Sequence, residues 1–191
     1  MREYVPDGIM AIPENAKRVF EGKIFDVYQW PQELYDGTTE TFEMLRRNDT
    51  VNAIGIKDGK IVITHQKQPR KDWFYDFPGG RHDNPDENEL AAAKREMLEE
   101  TGMSFRSWKL VRVCQPYLKM DWLVYTFIAT DFIEQVQQNL DGGEQIEVAE
   151  VSFEELKQLA HTEKRFTDNE IINNANSLDD LLNLPALHEY D

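Results

Sequence analysis

The stretch Gly79-Gly80-Arg81-His82-Asp83-Asn84-Pro85-Asp86-Glu87, continued by Arg95-Glu96-Met97-Leu98-Glu99-Glu100-Thr101-Gly102, decides the fold of this chain. Residues 79–102 place seven acidic residues, Glu89 included, in a glycine-led turn and the helix predicted after it. Glu99 and Glu100 lie three and four residues after Glu96, so a helix brings the three side chains onto one face. Such carboxylates repel one another unless a cation neutralises them. Because Mg²⁺ prefers oxygen ligands and shares them with substrate phosphates, the spacing predicts a metal-binding face.

Residues at both ends of this predicted helix fit its boundaries. Asn84 or Asp86 can serve as the N-cap, since both side chains can accept a hydrogen bond from a free backbone N–H group. Gly102 is the residue type expected just beyond the last turn. Arg95 lies four residues before Glu99, so its guanidinium can orient that carboxylate.

The remaining helix positions predict how it packs. Leu90 and Met97 form one apolar flank, and Ala91 and Leu98 form another, which suggests a helix held between a sheet and a further layer. Glu89 lies near the azimuth of the acidic face but two turns away, and we expect it to be solvated.

Composition limits the possible functions. The chain has 191 residues and a formal net charge of −15, which argues against general electrostatic binding of nucleic acid or anionic membranes. Cys114 is the single cysteine, so no intrachain disulfide can form and a cytoplasmic location is expected. We see no apolar segment of a signal peptide and no run near the roughly 18 apolar residues of a membrane span. The four histidines are scattered, which disfavours zinc.

The first 48 residues are predicted to form a separate N-terminal strand unit. Residues 1–18 are expected to be irregular, while 23–30 and 38–46 carry the β-branched and aromatic residues of strands around the turn signal Asp36-Gly37. Two strands alone are marginally stable in water. This unit must therefore pack on the main domain, residues 49–191, or on a second subunit.

The main domain is predicted to be α+β. Strands are expected at 51–56, 61–66, 73–77, 108–113, 122–129 and 146–151, and Asp58-Gly59 predicts a tight hairpin between the first two. Capping boxes at 152–155 and 167–170 predict two helices, the second continuing to about Leu184. Strands and helices in this order indicate a mixed architecture.

Residues 80–103 resemble the Nudix box, G-x5-E-x7-R-E-U-x-E-E-x-G-U, where U is aliphatic. The match runs from Glu87 through Arg95, Glu96, Glu99 and Glu100 to Gly102 and Met103 in both type and spacing. Gly80 is followed by six residues instead of five before Glu87, and the extra residue falls in the 82–86 loop, where insertion is tolerated. The resemblance implies a Nudix α/β/α sandwich with a mixed sheet, carrying the N-terminal antiparallel strands as an addition.

The resemblance also implies an activity and residue roles. Nudix hydrolases cleave a nucleoside diphosphate linked to another moiety, with water attacking phosphorus and Mg²⁺ or Mn²⁺ stabilising the charge. By similarity, Gly80, Glu96, Glu99 and Glu100 form the metal site and Arg95 orients the glutamates, while Glu87 braces the join between loop and helix. Glu144, in a loop with two glycines, is the expected second acidic residue, so either Glu99 or Glu144 can be the general base.

Other segments resemble ADP-ribose pyrophosphatases and related hydrolases of nucleoside diphosphate sugars. These are residues 25–28, 42–46, 66–70 and 144–148, together with Pro116. In that subgroup the N-terminal strands form a homodimer and help to bind the base. Arg46, Arg47 and Arg70 are candidates to contact phosphate or ribose, and we predict this role for Arg46 and Arg70. We predict that Tyr28 and Trp30, in preference to Trp73 and Trp122, stack on the base.

Two other functions stay open. One is a house-cleaning pyrophosphatase of nucleoside triphosphates, although such enzymes usually lack the N-terminal strands. The other is a non-catalytic nucleotide-sensing module, although such modules often lose glutamates that are all present here. The short loop 118–121 lacks the Ser/Gly-rich stretch common in the ADP-ribose group, so the sequence predicts a small-molecule nucleoside diphosphate substrate without selecting one.

Overall fold

The computed structural model describes residues 2–163, 166 and 169–190. These residues form two sheets and several helices. In chain order the elements are β1 Lys17–Phe20, β2 Asp26–Glu33, β3 Thr39–Arg46, β4 Asp49–Lys57, β5 Lys60–Gln68, β6 Lys71–Asp76, β7 Gly79–His82, α1 Glu89–Thr101, β8 Met103–Cys114, β9 Met120–Asp121, β10 Val124–Gln135, β11 Gln145–Val151, α2 Phe153–Thr162, α3 Asn169–Asn174 and α4 Leu178–Leu182.

The main sheet is mixed, as the sequence predicted. Its order is β11-β5-β4-β10-β8, with β6 paired to β5 and β7 paired to β4. Strands β4 and β10 are parallel, and the other pairs in this sheet are antiparallel. Asp58 and Gly59 both have positive φ, which is the conformation of the two-residue hairpin predicted between β4 and β5.

Helices cover both faces of this sheet, because apolar side chains of the central strands alternate between them. On one face Ala53 and Val62 pack against Met97 of α1. On the other, Ile54, Ile61 and Ile63 pack against residues of α2, α3 and α4. The α/β/α sandwich is therefore confirmed.

The second sheet has the order β1-β2-β3-β9 and contains the predicted N-terminal hairpin. Strand β1 begins at Lys17, inside the region 1–18 that was expected to be irregular, so the prediction was wrong for its last two residues. The strand predicted at 23–30 is found three residues later, as β2. Pro31 of β2 lies outside the part that pairs with β1, so its missing N–H group costs no hydrogen bond between these two strands. The parallel pairing of β3 with β9 joins this sheet to the main body.

Helix α1 begins later than predicted, with Asn88 as its N-cap. The Asn88 side chain accepts a hydrogen bond from the Ala91 amide at 2.9 Å. Asn84 is used instead within the loop, where its side chain accepts from the Asp86 amide at 3.0 Å. Gly102 ends the helix as predicted, with a φ of +71° and its amide bonded to the Leu98 carbonyl.

Two predictions about the faces of α1 were wrong. Ala91 and Leu98 are exposed, so only one apolar flank of the helix is covered. Glu89 is 0% exposed. One of its carboxylate oxygens accepts from the Glu3 amide at 2.7 Å, and the other from the Tyr190 hydroxyl at 3.4 Å. The chain termini that cover Glu89 are far from it in sequence, so the local pattern carried no sign of its burial.

The C-terminal region differs from the single helix predicted to Leu184. The predicted capping box begins at Thr167 and Asp168, which lie outside the described residues. Helix α3 ends at Asn174, and Ser177 starts α4 by accepting a hydrogen bond from the Asp180 amide at 3.2 Å. By contrast, the Ser152–Glu155 capping box of α2 is present in full. No helix in the described ranges is both long and apolar enough to cross a membrane.

Candidate active site

The predicted Gly79-Gly80 turn is in fact strand β7, which lies directly against the acidic face of α1. It pairs with β4, where Val51 is opposite Gly80. The Gly79 amide donates to Oε2 of Glu100 at 2.8 Å. A Cβ atom at Gly80 would lie 2.5 Å from the Glu96 carboxylate, so only glycine leaves room for that carboxylate. Gly80, which was interpreted as part of a turn, is therefore needed because α1 approaches the β7 backbone closely.

Arg95 links the acidic residues of this region. Its Nη1 lies 2.8 Å from Oε1 of Glu96 and 3.1 Å from Oε2 of Glu99, as the helical spacing predicted. Its Nη2 donates to Glu87 at 2.9 Å and to the Arg81 carbonyl at 3.1 Å. Hydrogen bonding to Glu87 and Glu96 outweighs burial and raises the pKa of Arg95, so this cation is permanent. Glu87 thus braces the loop against the helix.

Burial changes the acidity of the two inner glutamates. Desolvation raises the pKa of Glu96 to about 7, despite the opposing effect of Arg95. Glu100 is 4% exposed, and desolvation raises its pKa well above the ordinary range. Among the smaller causes, Glu96 and Glu144 each raise the pKa of Glu100 through charge repulsion. The site therefore contains more negative charge than the protein alone neutralises.

The segment after β10 brings Glu144 to this cluster. It runs along the C-terminal end of α1, where the Val136 amide donates to the Gly102 carbonyl at 2.8 Å and the Asn139 amide to the Glu99 carbonyl at 2.9 Å. The Gln138 side chain donates both to the Glu100 carbonyl and to the Ile146 carbonyl at the start of β11. The loop between those anchors carries Glu144, whose pKa is raised by desolvation and then by Asp141, with a smaller contribution from Glu99.

The donor set fits a hard divalent cation. Glu96, Glu99, Glu100 and Glu144 supply carboxylate oxygens, and Gly80 leaves space at the Glu96 carboxylate. Within the described residues, no three acidic or histidine side chains already group as a metal site. Glu96 and Glu99 each direct one oxygen to Nη1 of Arg95.

A cavity of about 690 Å³ is lined by all the residues predicted for catalysis and metal binding. The structure brings together on its wall Gly80, Arg95, Glu96, Glu99, Glu100 and Glu144. Glu144 comes from a loop more than 40 residues after the helix, so its position is a consequence of the tertiary fold.

The predicted substrate-binding residues lie elsewhere. Arg70 lines a neighbouring groove of about 600 Å³ and not the cavity itself. The Arg46 side chain is 53% exposed and lies 3.9 Å from Asp121. Trp30 packs near Phe42 in the N-terminal sheet, where Tyr28 also lies. Neither Arg46 nor the two aromatic residues line the cavity in this single chain.

The cavity is also lined by three cations that were not among the predicted binding residues. They are Arg47, Arg81 and Lys71. The Arg47 guanidinium lies 4.3 Å from the ring centre of Trp122, which fixes its plane. Desolvation and the nearby Arg81 charge lower the pKa of Arg47. Adjacent residues at the end of β3 direct their side chains to opposite faces, so the sequence implied that Arg46 and Arg47 differ. It did not show which of the two faces the cavity.

Comparisons with known proteins agree with this geometry. The model of the NUDIX domain family matches residues 46–173. The ADP-ribose pyrophosphatase of Bacillus subtilis (strain 168) is 28% identical over 152 residues, which cover 76% of this chain and 80% of that protein. The crystal structure of an ADP compounds hydrolase superposes with a TM-score of 0.61 at 17% identity, over 76% of this chain and 81% of that chain, which shows a shared fold.

Proposed function

This chain belongs to the NUDIX domain family and is a Nudix pyrophosphohydrolase, and we propose that it hydrolyses ADP-ribose or a nucleotide sugar with the help of Mg²⁺ or Mn²⁺. The observation that carries this proposal is one cavity lined both by glutamates of α1 with Glu144 and by Arg47 and Arg81. The carboxylates suit cations, and the guanidinium groups suit the phosphates of a nucleoside diphosphate. The similarity to an ADP-ribose pyrophosphatase supports the choice of substrate.

The metal site that we propose consists of Glu96, Glu99, Glu100 and the Gly80 carbonyl. When bound there, a divalent cation lowers the pKa of its water and neutralises charge on the leaving phosphate. Arg95 holds the Glu96 and Glu99 carboxylates in place. The raised pKa values of Glu96 and Glu100 reflect buried carboxylates that a cation would stabilise.

Proton removal from the attacking water requires a carboxylate that can reach it. Glu99 and Glu144 both line the cavity and are the two candidates for the general base. Glu144 lies in a loop with Gly142 and Gly143, so it can approach when substrate binds. Desolvation raises its pKa, which moves it toward the range of an effective base near neutral pH.

The rest of the substrate extends beyond the cavity. We propose that Arg47 contacts a phosphate and that Arg70 contacts the distal sugar from the adjoining groove. The role predicted for Arg46 in contacting phosphate or ribose, and those predicted for Tyr28 and Trp30 in stacking on the base, depend on a homodimer formed through the N-terminal sheet. Exposed apolar residues on that part of the chain, Phe20 and Ile24, support such an interface.

A substrate screen with purified protein tests this function. We expect Mg²⁺-dependent release of a nucleoside monophosphate from ADP-ribose or a nucleotide sugar, with nucleoside triphosphates cleaved more slowly. Glu99→Gln and Glu100→Gln should reduce kcat by at least about 100-fold, since each removes a charge needed at the metal. Tight nucleotide binding without hydrolysis of any compound would favour the sensing module, and a preference for triphosphates would favour the house-cleaning enzyme.

A further inference from the structure

A groove adjoins the catalytic cavity, and several residues line both spaces. It lies between the β5–β6 turn and the loop 142–145, and its volume is about 600 Å³. The residues that line both spaces are Gln68, Pro69, Lys71, Gly143 and Glu144. A Cβ atom at Gly143 would lie 3.6 Å from Cγ of Pro69, so the turn and the Glu144 loop meet here. A ligand that occupies the cavity can therefore extend into the groove.

The groove is a cationic patch in an acidic protein. Lys67, Arg70 and Lys71 lie within five residues, against Asp72 and Glu144 on the same walls, while the whole chain carries −15. Among the residues that the structure describes, no carboxylate forms an ion pair with any of these three cations. Their positive charge is thus available to an anionic ligand.

The chain keeps two of these cations in defined positions. Lys71 donates to Oε1 of Gln68 at 2.9 Å and lies 5.3 Å from the ring centre of Phe74. Arg70 has a φ of +65° in the two-residue turn between Gln68 and Lys71, where a glycine would be unstrained. The turn therefore fixes the backbone from which the Arg70 side chain enters the groove.

We propose that this groove binds a phosphate group that the substrate carries in addition to its diphosphate. This inference rests on the proposed function, because the diphosphate must lie in the adjoining cavity for the extra phosphate to reach Arg70 and Lys71. The extra phosphate can come from a phosphorylated distal sugar or from a longer polyphosphate bridge. Either source presents oxygens that accept charge-assisted hydrogen bonds from a guanidinium and an ammonium group.

Three substrates distinguish these sources. They are ADP-ribose, ADP-ribose phosphorylated on its distal ribose, and diadenosine tetraphosphate. We expect kcat/KM for one of the two phosphate-bearing compounds to exceed that for ADP-ribose by at least about tenfold. The variant Arg70→Gly, which removes the guanidinium and also relieves the strain, should lower this ratio to below about threefold. Arg106→Ala, at an exposed arginine of β8, should leave the ratio as in the wild type.

Calorimetry gives a readout that needs no turnover. Ribose 5-phosphate should bind the wild-type protein, and Arg70→Gly should weaken its binding at least about fivefold. Equal kcat/KM values for all three substrates in the wild type would overturn the inference. So would a variant Arg70→Gly that changes neither the kcat/KM ratio nor the affinity for ribose 5-phosphate. If the wild type cleaves none of the three compounds, the proposed function fails, and the ribose 5-phosphate titration still decides whether the groove binds phosphate.

Discussion

The pKa values of the glutamates in the candidate active site depend on burial more than on the residue type. Glu96 and Glu99 are three residues apart on one helix, yet Glu96 is the one whose carboxylate lies against the Gly80 backbone. Desolvation therefore raises the pKa of Glu96 to about 7, and the acid is partly protonated near neutral pH when no cation is bound.

This pKa predicts how metal-free stability depends on pH. Since the folded pKa is above the ordinary value of 4.5, the folded protein holds a proton that the unfolded chain has lost between pH 4.5 and 7. The free energy of unfolding in EDTA should then fall by about 1–3 kcal/mol as pH rises through this window. Urea titrations at several pH values measure it, and Glu96→Gln should flatten the curve. Mg²⁺ should raise the melting temperature more at pH 8 than at pH 5.5, since protons compete for the same oxygens; the reverse order would contradict this assignment.

Arg47 provides a second prediction for a single residue. Its guanidinium lies over Trp122 and lines the cavity, so it is positioned to receive phosphate without further ordering. Arg47→Ala should raise KM about 10–100-fold, the equivalent of a lost charge-assisted hydrogen bond, with a smaller effect on kcat. Steady-state kinetics on the best substrate measure both constants, with Arg106→Ala as the control. An unchanged KM would remove Arg47 from the binding site.

At the scale of elements, the active site depends on the end of α1. The carbonyls of its last turn accept hydrogen bonds from the segment 135–139, which replaces the solvent that usually satisfies them. Gln138 joins that turn to the first residues of β11, and the loop between them carries Glu144. Helix α1, which carries the proposed metal ligands, and the loop that carries Glu144 are therefore linked to each other by a few hydrogen bonds.

Removing this connection should affect turnover more than binding. Gln138→Ala is expected to lower kcat about tenfold, because Glu144 loses its defined approach to the cavity, while KM changes less. Gln137→Ala alters an exposed neighbour of the same chemistry and serves as the control. A thermal melt of both variants separates this effect from unfolding. Equal kinetics of the two variants would show that the Glu144 loop is positioned by other contacts.

At the scale of the molecule, the N-terminal sheet is the part least explained by the single chain. It joins the main body through β9 and through Arg2, whose guanidinium contacts Asp49 and Asp121 at 2.6–2.7 Å. Its outer region still exposes Phe20 at 58% and Ile24 at 59%. Such side chains on a sheet edge are typical of an interface with another chain.

We therefore expect a homodimer in solution. Size-exclusion chromatography with light scattering should give twice the mass of the chain, and the double variant Phe20→Asp/Ile24→Asp should shift it toward the monomer. Ile133→Asp, at an exposed position of β10 outside the N-terminal sheet, should remain dimeric. A wild-type monomer would contradict the interface and, with it, the base-binding roles predicted for Tyr28 and Trp30.

The sequence determined what depends on local spacing. Glu96, Glu99 and Glu100 share a face because helical geometry requires it, Gly102 ends the helix because its φ is positive, and Asp58-Gly59 forms a tight hairpin. These features need no knowledge of distant residues. The mixed sheet and the α/β/α layers followed from the order of such elements and from the resemblance to one family.

Tertiary structure decided what depends on residues far apart in the chain. It buried Glu89 beneath both termini, turned Gly79-Gly80 from a turn into a strand beside Glu96, and placed Arg47 at the cavity with Arg46 outside it. Burial, desolvation and the facing of a strand end are properties of packed neighbours. No local pattern contains them, which is why the shared face of Glu96, Glu99 and Glu100 could be predicted from the sequence and its electrostatic surroundings could not.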